Sequence, residues 1–121
     1  MLLVDAFNDE REMYAEYLRA TGFNVRPFDN VESALADAAL NSPSVAILRL
    51  HPWHGHREVP ALIGRIKRHA ATRGARVVAL GTAMSPDERE ASLRAGSDRY
   101  VLIPCLPDQL VGTIGDVLAS P

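Results

Sequence analysis

Short apolar runs alternate along this chain with stretches whose apolar residues recur every three or four positions. Met1-Leu2-Leu3-Val4 reads as a first strand. Asn8 and Asp9 supply caps for a helix with Met13, Tyr14, Tyr17 and Leu18 on one face, and Gly22 stops it. Phe23 to Phe28 alternates as a second strand, and Pro27 places that strand at a sheet edge. Asp29 and Glu32 have capping-box spacing ahead of an Ala-rich helix over 31–40, which Asn41, Ser42 and Pro43 break. Residues 44–50 form a third strand, and His51 to His56 a loop. A helix over about 57–72 carries Leu62, Ile63 and Ile66 inward and ends at Gly74. Arg76 to Leu80 is a fourth strand. Ser85-Pro86-Asp87-Glu88 opens a helix with an N-cap and a proline in its first turn, and Gly96 closes it. Tyr100 to Ile103 is a fifth strand. Pro107 starts a last helix with Leu110, Ile114, Val117 and Leu118 at helical spacing.

Five strand–helix units in strict alternation, joined by right-handed crossovers, predict a parallel sheet with helices on both faces. The expected architecture is α/β and flavodoxin-like, a (βα)5 three-layer sandwich with sheet order 2-1-3-4-5. In such sheets ligands and chemistry gather past the carboxyl ends of the strands, at the switch point between strands 1 and 3. Asp5 tops the first of these strands. Arg49 sits near the end of the apolar run Val45-Ala46-Ile47-Leu48-Arg49-Leu50, which has the composition of a buried parallel strand. Neighbouring strands lie about 4.8 Å apart, so the topology brings Asp5 and Arg49 within salt-bridge reach; the alternative is that Arg49 snorkels to solvent over the top of the sheet.

Composition narrows the function. The 121 residues carry 13 basic and 15 acidic side chains, for a net charge of −2. That balance gives no footprint for nucleic acid or an anionic membrane. No apolar run approaches the roughly 18 residues of a membrane span, and the N-terminus lacks the basic start of a signal peptide. The lone Cys105 excludes an internal disulfide and fits a reducing, cytoplasmic setting.

Three segments then stand out together: Leu2-Leu3-Val4-Asp5-Ala6-Phe7, Gly22-Phe23-Asn24-Val25, and Ala95-Gly96-Ser97-Asp98-Arg99-Tyr100-Val101-Leu102-Ile103-Pro104. With the five-unit alternation they make nearly all of residues 1–119 resemble a receiver domain of two-component response regulators, so 1–121 is expected to be one receiver-like domain. Active receivers use two acids after strand 1 to hold Mg²⁺, an Asp ending strand 3 as phosphoacceptor, and a Thr or Ser ending strand 4. A Lys before a proline follows strand 5, and an aromatic on strand 5 acts as a switch. The resemblance implies that Asp5 is the first acid and that Ala6 replaces the second. It puts Arg49 at the phosphoacceptor, Gly81 at the hydroxyl position with Thr82 beside it, Tyr100 at the switch and Ile103 in place of the lysine. It also implies a cis peptide at Pro104.

Arginine has no nucleophilic oxygen and stays protonated. A hard octahedral Mg²⁺ needs several oxygen ligands. The expected function is therefore an atypical receiver in two-component-type signal transduction, a pseudo-receiver outside the phosphorelay. It would act by phosphorylation-independent contact with a signalling or output protein, with no catalysis, cofactor or metal. By the same resemblance, helix 4, strand 5 and helix 5 form the contact face and a homodimer interface, with Arg89, Arg94, Asp98, Tyr100, Asp108 and Gln109 on it. Whether an output domain follows residue 121 stays open. The alternative is a ligand-gated receiver that takes a small anion at the Asp5/Arg49/Thr82 crevice, where Arg49 offers its fork to a carboxylate or phosphate.

The remaining candidates are weaker. His51, His54 and His56 are a conceivable metal set, but no cysteine or acid joins them at a ligand spacing. Cys105 lacks the basic neighbours of a reactive thiol. Arg65-Ile66-Lys67-Arg68-His69 reads as solvated helix surface. No Gly-rich phosphate cradle follows strand 1 or 4, which argues against a nucleotide-cofactor enzyme.

Overall fold

The computed structural model describes residues 1–50, 55–69, 72–82 and 86–119, the side chains of 55–59 and 86 excepted. The elements are β1 (Leu2–Val4), α1 (Asn8–Ala20), β2 (Arg26–Phe28), α2 (Val31–Ala38), β3 (Val45–Arg49), α3 (Gly55–Arg68), β4 (Arg76–Gly81), α4 (Pro86–Ala95), β5 (Arg99–Leu102) and α5 (Pro107–Ala119). The strands form one sheet of order β2-β1-β3-β4-β5, parallel throughout. The expected flavodoxin-like sandwich is the observed one, and Pro27 lies on an edge strand as its missing N–H requires.

Strand periodicity divides the interior into two cores. Leu2, Val4, Ala46, Leu48, Val77 and Ala79 face one side and pack with Val31, Ala34, Leu35, Ile63 and Ile66 of α2 and α3. Leu3, Val45, Ile47, Val78 and Leu80 face the other and pack with Tyr14, Leu18, Leu110 and Ile114 of α1 and α5. Both faces of β3 are thus covered, which is why its run is apolar without alternation.

Several local readings shift. The N-cap of α1 is Phe7, in extended conformation and without a side-chain cap, rather than Asn8 or Asp9. Asn8 instead accepts from Arg11 Nη2 at 2.7 Å. The N-cap of α2 is Asn30, whose Oδ1 accepts from Ser33 N at 2.8 Å, and not Asp29. Strand β2 begins at Arg26 rather than Phe23, because Phe23 N donates to Leu18 O and closes α1 around Gly22 at φ +100. Met13 and Leu118 were expected inside; they are 42% and 46% exposed. The buried stripes of α1 (Tyr14, Ala15, Leu18) and α5 (Leu110, Ile114, Val117) are narrow, and both residues lie on their flanks. Helix α3 starts at Gly55, inside the expected loop, and stops at Arg68, after which Thr72 Oγ1 ties back to Ile66 O at 2.6 Å. The proposed cap Ser85 and residues 51–54 lie outside the described residues. Among the described residues, no helix is long and apolar enough to cross a membrane.

Candidate functional site

The carboxyl ends of β1 and β3 meet at the switch point, and the first turn of α1 folds over them. Asp5, one residue past β1, is 1% exposed, and its Oδ1 accepts from Phe7 N at 2.9 Å. Arg49, the last residue of β3, is 7% exposed. Its Nε donates to Glu10 Oε1 at 2.7 Å and its Nη1 to the Leu50 carbonyl. Its guanidinium carbon lies 5.7 Å from the centroid of the Phe7 ring, within cation–π reach. Arg11 Nη1 holds the Asp5 carbonyl at 2.8 Å and fixes the turn between β1 and α1.

Arg49 lies buried at the switch point, but it forms its ion pair with Glu10 rather than with the expected Asp5. The reason is reach. From the end of β3 the guanidinium extends toward the first turn of α1, where Glu10 projects over the sheet edge. Burial lifts the Asp5 carboxyl to about 7, helped by a hydrogen bond with Glu10 and by that residue's charge. The Phe7 amide opposes the rise, and Arg49 opposes it more weakly. Two carboxyls lie close together and the guanidinium pairs with Glu10, so Asp5 is held toward its protonated form. Glu10 was not singled out from the sequence. The usable signal was positional: the first turn after β1 overlies the carboxyl edge, and an acid there faces a cation ending β3.

This geometry fixes a pH dependence. The folded value of Asp5 lies above its ordinary 3.8, so the proton stabilises the fold. That contribution is full below about pH 4 and is lost as pH rises through 7. Asp37 and Glu32, held low by Arg26 and Arg65, contribute in the opposite sense at acid pH. The informative quantity is therefore the wild-type stability minus that of Asp5→Asn. Urea unfolding between pH 4 and 8 should show this difference falling by a few kcal/mol as pH rises. A flat difference would contradict the assignment.

At β4, Tyr100 takes up the space beside Gly81. Its hydroxyl donates to Glu88 Oε2 of α4 at 2.7 Å. A Cβ on Gly81 would stand 2.1 Å from that hydroxyl oxygen and 2.9 Å from the Glu88 carboxylate. Gly81 is buried, whereas Thr82 is exposed and does not line the crevice between β1 and β3. Ile103 is buried in the α1–α5 core and donates its N–H to Gly81 O at 2.9 Å, so this position brings an apolar anchor and no cation. The Ile103-Pro104 peptide is cis.

The other candidates scatter. His51 and His54 lie outside the described residues; His56 falls in the backbone of α3. Cys105 is half-buried beside Tyr14, whose hydroxyl is pushed upward by burial and by that thiol. Arg65 pairs with Glu32 at 2.7 Å and Lys67 with Asp98 at 3.7 Å, so two cations of the basic stretch are engaged locally. On the expected contact face Arg89, Arg94, Asp108 and Gln109 are exposed. Asp98 is instead occupied, accepting from Val77 N at 2.8 Å.

No protein-family model matches the chain, and no curated protein matches it. Solved structures do. A response regulator from Thermotoga maritima superimposes with TM-score 0.85 at 22% identity, over 98% of this chain and 96% of that one. A putative response regulator from Chloroflexus aurantiacus J-10-fl gives TM-score 0.84 at 28% identity, over 98% and 96%. NtrX from Brucella abortus gives TM-score 0.82 at 25% identity, over 97% of this chain but 26% of that longer one. The structural neighbours are response regulator receiver domains, and this chain has their fold at nearly full length.

Proposed function

We propose that this chain is a receiver-fold signalling module that works through protein contacts without accepting a phosphoryl group. The observation that carries the reading is Arg49, a buried guanidinium paired with Glu10 where the resemblance puts the phosphoacceptor. A nucleophilic carboxylate is missing there, and a fixed positive charge stands in its place. The residues present do not fit the Mg²⁺ of active receivers. That ion needs several anionic oxygens in octahedral array, whereas one carboxyl here is proton-bearing near neutrality and its neighbour is paired with a guanidinium. No lysine follows β5 to pair with a phosphoryl group, since Ile103 fills that position within the core. The module would carry no catalysis of its own and no cofactor.

The contact face is the surface of α4, β5 and α5. Leu102 and Leu106 are 55% and 65% exposed there, on the edge strand and the turn that follows it. Arg94 of α4 and Asp108 of α5 are exposed charges of the same elements. A small apolar patch rimmed by charge is the surface pattern of an interface. A signalling or output protein is the partner this reading favours, with a second copy of the chain using the same face.

The test is sedimentation and intact mass in the presence of Mg²⁺ and acetyl phosphate. The chain should gain no phosphoryl group and keep its association state, while Leu102→Glu weakens that association. A phosphoryl adduct, or association that requires the phosphodonor, would overturn the reading.

A further inference from the structure

A crevice of about 230 Å³ opens between β1, β3 and the start of α2. Arg49 lines it, whereas Glu10, Asp5 and Thr82 do not, so it is not the Asp5/Thr82 crevice expected from the sequence. Val4, Leu48, Leu50 and Leu62 form an apolar floor, and Ala6 stands at the mouth with only a methyl group. Among the described residues, Arg49 is the buried charge that lines it. Nε of Arg49 is committed to Glu10 and Nη1 to the Leu50 carbonyl, but Nη2 donates to none of the described residues. The two acids at the rim are already engaged. Glu32 is paired with Arg65 at 2.7 Å, and Asp29 accepts from Asn30 Nδ2 at 2.6 Å. The crevice also sits at the topological switch point, outside the carboxyl ends of the strands.

We propose that this crevice binds a small carboxylic acid with a short apolar body. One carboxylate oxygen accepts from Arg49 Nη2, and the hydrocarbon packs on Leu48, Leu50 and Leu62. An apolar pocket with one or two placed polar groups is the usual form of a small-molecule site. The volume admits a short-chain acid. Ala6 leaves the mouth open; a longer or acidic side chain there would fill it or satisfy Arg49 internally. The inference is independent of the protein-contact reading, since a module that did accept phosphate could still hold such a ligand.

Isovalerate is the probe, with isovaleramide as its uncharged counterpart of the same size. Backbone amide shifts are followed by NMR on the whole chain. Isovalerate should give saturable shifts at Ala6, Val31, Leu50 and Leu62, and isovaleramide should bind at least about tenfold more weakly, because a charge-assisted hydrogen bond is lost. Ala6→Asp changes an exposed residue and supplies a tethered carboxylate, so it should abolish the isovalerate shifts while the spectrum stays folded. Equal binding of acid and amide would overturn the anion assignment. Shifts centred elsewhere, or none in the folded wild type, would overturn the site. Undiminished isovalerate binding by a folded Ala6→Asp chain would overturn the role given to Arg49.

Discussion

Replacing Arg49 with leucine lowers the stability of the chain by about 3 kcal/mol at pH 8, the range seen when one partner of a buried ion pair is removed. Leucine matches the stem of the side chain, so little packing is lost. What is lost, among the described residues, is the charge that offsets the neighbouring carboxyls of Glu10 and Asp5 at the first turn of α1. Both carboxyls must then be protonated or the turn must open. The loss should accordingly shrink at pH 5, where protons take over from the guanidinium. Arg49→Leu combined with Glu10→Leu should recover much of the loss, because a pair replaced whole by apolar groups is often neutral. Urea unfolding of the four members of this cycle at pH 5 and pH 8 measures it. A single substitution that costs the same at both pH values would show that packing, and not charge, is what Arg49 supplies.

Gly81→Ala is the second large effect, about 1–3 kcal/mol, although alanine is intrinsically the better strand residue. The added methyl would stand 2.1 Å from the Tyr100 hydroxyl oxygen and 2.7 Å from the ring carbon that bears it. One of the two must move. The mobile partner is Tyr100, on the edge strand β5, and its departure breaks the 2.7 Å bond to Glu88 that ties β5 to α4. In a Tyr100→Ala background the same substitution should cost little, since the atoms it collides with are gone; the Glu88 carboxylate can rotate away. Denaturant melts of the two single variants and the double variant decide the point. Additive losses would mean that Gly81 matters for its backbone and not for the room it leaves.

The fold was legible because period-2 and period-3.6 patterns alternate cleanly, and because the short apolar run of β3, between breakers and without alternation, fits a strand covered on both faces. Arg49 was legible for the same reason, as a charge in a run that has no place for one. Its partner was not. Glu10 lies 39 positions away, on a helix whose rotation about its axis decides which of Asn8, Asp9 and Glu10 overhangs the sheet, and the apolar stripe of α1 is too narrow to fix that angle. The same looseness misplaced Met13 and Leu118, flank residues that helical spacing alone puts inside. The caps were wrong by one residue because Asp29 and Asn30 both suit an N-cap; the extended backbone of Asn30 and its bond to Ser33 decide between them. The contact between Gly81 and Tyr100 depends on a side-chain rotamer across two strands, which no pattern along the chain encodes.

The central claim is that Arg49 closes the phosphoryl site. The most direct measurement is a titration with beryllofluoride and Mg²⁺, followed through the backbone amide shifts of Asp5, Arg49, Gly81 and Tyr100. The account predicts that these amides do not move in a saturable way, because no carboxylate is free to take the beryllium and two engaged carboxyls cannot hold the metal. Saturable shifts centred on Arg49 and spreading to Tyr100 would contradict it and make the switch point a live phosphoryl sensor.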